Sequence, residues 1–212
     1  MDTTLRLNLF GSPTVEHGGA VRALALERRT QLLVLLALRR GWVTRADIAA
    51  LLWPEQASRL AFSNLRKTLF RLQSLPWTAA IETQGTALRF EAATDVQAFE
   101  AALREQRSAD ALAAYRGEFL AGFDDGQSQA WTRWLGFERE RLRTAWRGAA
   151  LARLAGDVDA SEAIALSARL LEADPLDEAA LGAHLAALAR NGQAGAAQPT
   201  LKACIIPSLA PR

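Results

Sequence analysis

Cysteine is almost missing from this chain. Cys204 stands alone, so no internal disulfide can form, which fits a reducing cytoplasm. Histidine occurs only as His17 and His184, in unrelated segments, and with Cys204 they give no metal-ligand spacing. Asp124-Asp125 has no third ligand in register and reads as a solvated turn. No Gly-rich phosphate loop and no Ser/His/Asp arrangement is present. The expectation is a protein that is not an enzyme and needs no metal and no cofactor. No apolar run approaches the roughly 20 residues of a membrane span. The start, MDTTLRLNLF, lacks a charged segment followed by an apolar one. A cytoplasmic protein with no membrane partner is therefore expected.

Lysine is scarce too, at 2 residues against 23 arginines, while half of the 212 residues are hydrophobic. That length suits two domains, each with its own core. The net charge of +2 hides an asymmetry. Residues 1–93 carry twelve Lys and Arg against seven Asp and Glu, and residues 94–212 carry thirteen against sixteen. A basic first part beside an acidic second part is expected where one domain alone meets a polyanion.

The first 25 residues alternate as strands do. Leu5, Leu7 and Leu9 point one way and Arg6, Asn8 and Phe10 the other. Gly11-Ser12-Pro13 and Gly18-Gly19 supply turns between three short strands. From Glu27 the period becomes helical and stops at Arg39-Arg40-Gly41, with Gly41 as the expected stop. Thr44-Arg45-Ala46-Asp47 resembles a capping box opening a short helix, Arg45 to Leu52. Ile81 to Phe90 reads as a hairpin with its turn at Gln84-Gly85. Three helices, the third basic, followed by a hairpin form a winged helix-turn-helix arrangement.

The third helix, within QASRLAFSNLRKTLFRLQS (56–74), has two chemically different faces. Ala61, Leu65, Leu69 and Leu72, with Phe62 beside them, form an apolar stripe at helical spacing. Arg59, Ser63, Arg66, Lys67 and Phe70 fall opposite, flanked by Asn64 and Arg71. Four cations and no acid occupy this window. A merely solvated surface mixes both signs; one-sign chemistry with Ser and Asn suits phosphates and base edges. Arg45, on the short helix before it, is a further candidate DNA-binding residue.

After a boundary expected near Glu91–Thr94 the pattern is all helical. Segments run over Asp95–Arg104, Ser108–Leu120, about Ser128–Ala155, Ala160–Ala173 and Asp177–Arg190. Trp131, Trp134 and Trp146 fall at helical spacings and are expected in the core. Ala149-Ala150-Leu151-Ala152-Arg153 recurs 37 residues later as Ala186-Ala187-Leu188-Ala189-Arg190, which suggests tetratricopeptide-like stacking; Ala-rich helices also match one another easily. Pro199, Pro207 and Pro211 predict a tail without regular helix.

Several stretches together resemble a known family. LRLNLFGSPTVEHGGAVRALALERRTQLLVLLAL, then VTRADIAALLWPEQASRLAFSNLRKTLFRLQ, are similar to the opening of SARP-type regulators (Streptomyces antibiotic regulatory proteins) and their relatives. DVQAFEAAL, YRGEFLAGF and ERERLRTAWRGAALARLAGD resemble the bacterial transcriptional activator domain that follows. The resemblance implies an α+β N-terminal winged helix-turn-helix domain (1–93) of OmpR type and an all-α tetratricopeptide-like helical domain (94–212). It implies a sequence-specific, DNA-binding transcriptional activator. The helix around Arg59, Ser63, Arg66 and Lys67 would enter the major groove of double-stranded DNA, and the hairpin with Arg89 would approach the minor groove. A homodimer on DNA and contact with RNA polymerase are implied as partners. The residues alone leave a second reading open, a protein–protein adaptor whose helical domain carries the function.

Overall fold

A computed structural model describes residues 5–75, 77, 81–124 and 128–193. A mixed α/β region comes first, and an all-helical region follows. The chain opens with β1 (Arg6–Asn8), β2 (Thr14–His17) and β3 (Ala20–Ala23). Helices α1 (Arg28–Arg39), α2 (Arg45–Leu52) and α3 (Ser58–Leu72) come next, with the two-residue strand β4 (Val43–Thr44) between α1 and α2. The hairpin of β5 (Ile81–Gln84) and β6 (Ala87–Phe90) follows, then β7 (Ala93–Thr94). The remaining elements are α4 (Asp95–Arg104), α5 (Ser108–Ala114), α6 (Gln129–Ala155), α7 (Ala160–Ala173) and α8 (Glu178–Arg190).

Two sheets organise the first region. One has the order β3-β2-β1-β7, with β7 parallel to β1 and the other pairs antiparallel. The second has the order β4-β6-β5. Leu7 and Val15 pair across β1 and β2 and are both buried, as alternation requires. Phe10 departs from the expected alternation and is buried with Leu9, because β1 ends at Asn8 and the chain bends into Gly11. The hairpin turn lies one residue later than expected, at Gly85-Thr86, since Gln84 pairs with Ala87. Gly85 takes the positive φ of 57° that such a turn needs. Strands β4 and β7 are too short to leave an alternation in the sequence.

Local chemistry explains the helix ends. The left-handed residue closing α1 is Arg40, with φ 53°, and not Gly41; the Arg40 N–H reaches the Leu36 carbonyl. Thr44 caps α2 by accepting the Asp47 N–H at 3.1 Å. The Asp47 carboxylate answers the Thr44 hydroxyl at 2.6 Å, so the box closes side chain to side chain. A full capping box does form at α4, between Thr94 and Gln97. Ser128, Asp159 and Asp177 cap α6, α7 and α8.

The expected helix over Ser108–Leu120 is a correction: α5 ends at Ala114. The chain then turns back to β1 as an extended segment. Gly11 N–H donates to Glu118 O at 2.8 Å, Leu120 N–H to Leu9 O at 2.8 Å and Ala121 N–H to Gly11 O at 3.0 Å. A side chain on Gly117 would press on the Gly11 Cα at 3.3 Å. Those two glycines let the backbones meet.

One buried cluster crosses from the first region to the second. Leu36, Leu65 and Phe90 belong to it, as do Phe99, Phe119, Trp131 and Trp146. Phe10 stands edge-on to Phe99 and tilts against Tyr115, with ring centroids 5.5 and 4.6 Å apart. Polar bonds also cross: Gln97 donates to the Ala37 carbonyl at 3.1 Å and Ser128 to the Leu51 carbonyl at 3.3 Å. Trp131 and Trp146 are core residues as expected, and Trp134 is half-buried against them. Both copies of the Ala-rich pentapeptide end helices, in α6 and α8. The expected proline-broken tail, including Cys204, lies outside the described residues.

Candidate nucleic-acid interface

Helix α3 packs on α1 and α2 through Ala61, Leu65, Thr68 and Leu72, all buried. Leu69 is half-buried beside them. Two details correct the face expected from spacing. Thr68 belongs to the inward side, and it can because its hydroxyl donates to the Asn64 carbonyl four residues back at 2.9 Å. Phe62 does not: it is 40% exposed, on the helix side that carries Arg59 and Arg66.

The opposite face is basic and open. Arg59, Arg66, Lys67 and Arg71 are exposed, and no acidic residue lies within Ser58–Leu72. Among the described residues, none of these four cations takes part in an ion pair. This contrasts with α6, where Arg141 and Arg143 are held by Glu138 and Glu140. Ser63 and Asn64 are half-buried between the cations. Asn64 donates to Gln56 Oε1 at 2.5 Å, which fixes its amide at the start of the helix.

Apolar side chains stand among these charges. Phe70 is 74% exposed and Leu60 51%. Sequence reasoning missed Leu60 and misplaced Phe62; the signal was their spacing from Lys67 and Arg66, seven and four residues on.

The hairpin lies against the C-terminal end of α3. Arg45, Arg66, Phe70, Ile81 and Thr83 line a common groove of about 440 Å³. The Arg45 N–H donates to Thr86 O at 2.8 Å, tying the first residue of α2 to the hairpin turn. Arg45 at the start of α2 is therefore gathered at one place with Arg66 and Phe70 of α3.

Arg89 sits differently. Its guanidinium meets Glu82 at 2.8 Å and Glu91 at 3.1 Å and lies 5.0 Å from the Trp42 ring centroid. The Glu82 carboxylate raises the Arg89 pKa above its ordinary value, so the charge is retained but already partnered. Glu82 lies directly across the hairpin from Arg89; that pairing was readable only once the turn was placed correctly.

No group of three metal-ligating side chains occurs among the described residues, and no described helix is long and apolar enough to cross a membrane.

Comparison with known proteins adds three findings. The family model described as bacterial transcriptional activator domain matches residues 81–203. No curated protein matches the chain. Among solved structures, that of Mycobacterium tuberculosis EmbR in complex with low affinity phosphopeptide is similar, with a TM-score of 0.64 at 18% identity. The match covers 94% of this chain and 58% of that one, and at this identity it is a likeness of fold. This chain thus spans a little over half the length of that protein.

Proposed function

Since this chain belongs to the bacterial transcriptional activator domain family, we propose that it activates transcription by binding double-stranded DNA sequence-specifically through α3. The observation that carries this reading is the face of Arg59, Arg66, Lys67 and Arg71, exposed and without ion pairs among the described residues. Four unneutralised arginine and lysine side chains on one helix repel one another weakly, and a phosphate backbone relieves that repulsion while releasing counterions. Three helices and a hairpin then act as a winged helix-turn-helix, with α3 in the major groove. Ser63, Asn64 and Arg66 read base edges, Phe70 meets thymine methyl groups or sugar, and Lys67 and Arg71 hold phosphates. No side chain caps the N-terminus of α3. The Leu60 N–H is taken by the Ala57 carbonyl at 2.8 Å, while the N–H groups of Ser58 and Arg59 point toward a phosphate at that end.

Arg45 contributes from the groove beside Arg66, and Arg89 reaches the minor groove after exchanging Glu82 for phosphate. One such unit reads few base pairs, so selectivity requires two copies on adjacent half-sites. The helical region, with α6 to α8 stacked in tetratricopeptide manner, provides the contacts to the second copy and to RNA polymerase.

A salt-titrated binding measurement on genomic DNA fragments tests this. If Arg59, Lys67 and Arg71 each neutralise one phosphate, the log–log slope with salt is about −3 per protomer. Affinity that is independent of salt, or unchanged on replacing Arg59 and Arg66, would favour the adaptor reading.

A further inference from the structure

The helical region contains a second cluster of arginines, distant in sequence from α3 and differently built. A half-open cavity of about 610 Å³ lies between the Tyr115–Glu118 segment, the middle of α6 and the end of α7. That volume is in the range of small-molecule sites. Its floor is aromatic: Tyr115 stacks on Trp146, with centroids 5.0 Å apart and planes 14° from parallel. Trp146 is only 3% exposed, and its buried indole nitrogen has no hydrogen-bond partner. A buried donor left unpaired costs free energy, and a bound water or ion is one way such a group is satisfied.

Four arginines line this cavity, with Glu118, Glu140 and Glu172 beside them. The Arg169 guanidinium lies 5.6 Å from the Trp146 ring centroid and gives one hydrogen bond, to the Tyr115 carbonyl at 3.2 Å. Among the described residues it has no carboxylate partner. Arg116 is exposed and likewise has none. Arg143 uses its Nε and one terminal nitrogen on Glu140, leaving the other terminal nitrogen unassigned. A guanidinium offers five N–H donors in a planar fork, so Arg169 and Arg116 hold most of theirs in reserve. Glu118 is drawn aside toward Arg139 at 3.4 Å. Tyr115 and Trp146 already stack on each other and Arg169 lies over Trp146, so recognition here is by charge-assisted hydrogen bonds.

We propose that this cavity binds a small organic oxyanion, a carboxylate or phosphate group held by Arg116, Arg169 and the free side of Arg143 above Tyr115 and Trp146. Such a ligand joins α7 to the Tyr115–Ala121 segment, the same segment that hydrogen-bonds Leu9 and Gly11. The site is independent of the DNA reading and stands or falls without it.

The test titrates the ¹⁵N-labelled full chain with citrate and, separately, inorganic phosphate at constant ionic strength set by chloride. The Trp146 indole N–H resonance, assigned by its loss in Trp146→Phe, should shift saturably with at least one probe. Saturation by citrate alone identifies a carboxylate ligand class, and by phosphate alone a phosphoryl class. Arg116→Ala/Arg169→Ala should raise the apparent Kd about tenfold or more, as expected for losing charge-assisted bonds. Arg59→Ala/Arg66→Ala should leave it unchanged, separating this site from the basic α3 face. Should Arg169→Ala disturb the Trp146 packing, Arg116→Ala alone should still weaken binding about threefold. A linear shift with both anions, or unchanged affinity in the Arg116 variants, overturns the proposal.

Discussion

The Asp95 carboxylate, at the first residue of α4, accepts the backbone N–H of Leu9 at 2.8 Å. Its second oxygen takes the Phe10 N–H at 3.0 Å. One side chain thus closes the strand that opens the first region and starts the helix that opens the second. Burial pushes the Asp95 carboxyl above its usual range, against the downward pull of the Phe10, Leu9 and Val96 N–H groups.

Asp95→Ala should therefore act on both regions. It leaves the Leu9 and Phe10 N–H groups buried without acceptors, at a cost of about 1–3 kcal/mol. Because the buried cluster runs across this junction, urea unfolding should remain one transition, shifted to lower midpoint for tryptophan fluorescence and circular dichroism together. Two resolved transitions in the wild type would show instead that residues 1–93 and 94–212 unfold separately.

The face assignment of α3 rests on a contrast between neighbours. Leu65 is fully buried and Arg66 exposed. Leu65→Ala should cost about 2–5 kcal/mol of stability. Arg66→Ala and Arg59→Ala should leave stability within about 0.5 kcal/mol and weaken specific DNA binding, by about 1–3 kcal/mol where the contact is to a base edge. Thermal melts and binding isotherms on the same three variants check this; inverted effects would invert the face.

Much of this architecture was legible in the chain because short-range chemistry fixes it. Asp159 and Asp174-Pro175 bracket α7, which runs over the residues that spacing alone indicates. Ser128 and Gly156 do the same for α6. What was not legible depends on partners far away in sequence. The Tyr115–Ala121 segment has helix-compatible residues, yet the open N–H and C=O groups of Leu9 and Gly11 draw it into an extended path. Phe62 looked inward by spacing, but the buried positions on that side are taken by Leu65 and by Thr68 with its hydroxyl satisfied. The candidate binding residues were found from one-sign charge on α3. The engagement of Arg89 by Glu82, Glu91 and Trp42 has no sequence signature short of the hairpin register.

That engagement leads to a test on the hairpin. Glu82→Gln removes the carboxylate that meets Arg89 at 2.8 Å while keeping the side chain's shape. If Arg89 exchanges Glu82 for phosphate on DNA, the variant should bind DNA more tightly at low salt. Its log–log salt slope should be steeper by about 1. Arg89→Ala should reverse both changes. Identical slopes for wild type, Glu82→Gln and Arg89→Ala would assign Arg89 to holding the hairpin on Trp42 and nothing more.

The final prediction concerns Arg147 and Asp177, which join α6 to the cap of α8. The guanidinium donates twice to the carboxylate, at 2.6 and 2.8 Å, while Asp177 also caps α8 through the Ala180 N–H at 3.2 Å. Asp177 is buried, and the bond from Arg147 holds its carboxyl below the usual range. A carboxyl whose folded pKa is depressed contributes stability above its unfolded pKa of about 3.9, and that contribution is lost as pH falls through the lower, folded value. Arg147→Ala should thus lower the thermal midpoint at pH 7. The gap to wild type should stay constant down to about pH 5 and then close as acid protonates Asp177 in both proteins. Melting curves from pH 7 to pH 3 read this directly, and a gap that persists undiminished at the acid end would mean that Arg147 acts through packing alone.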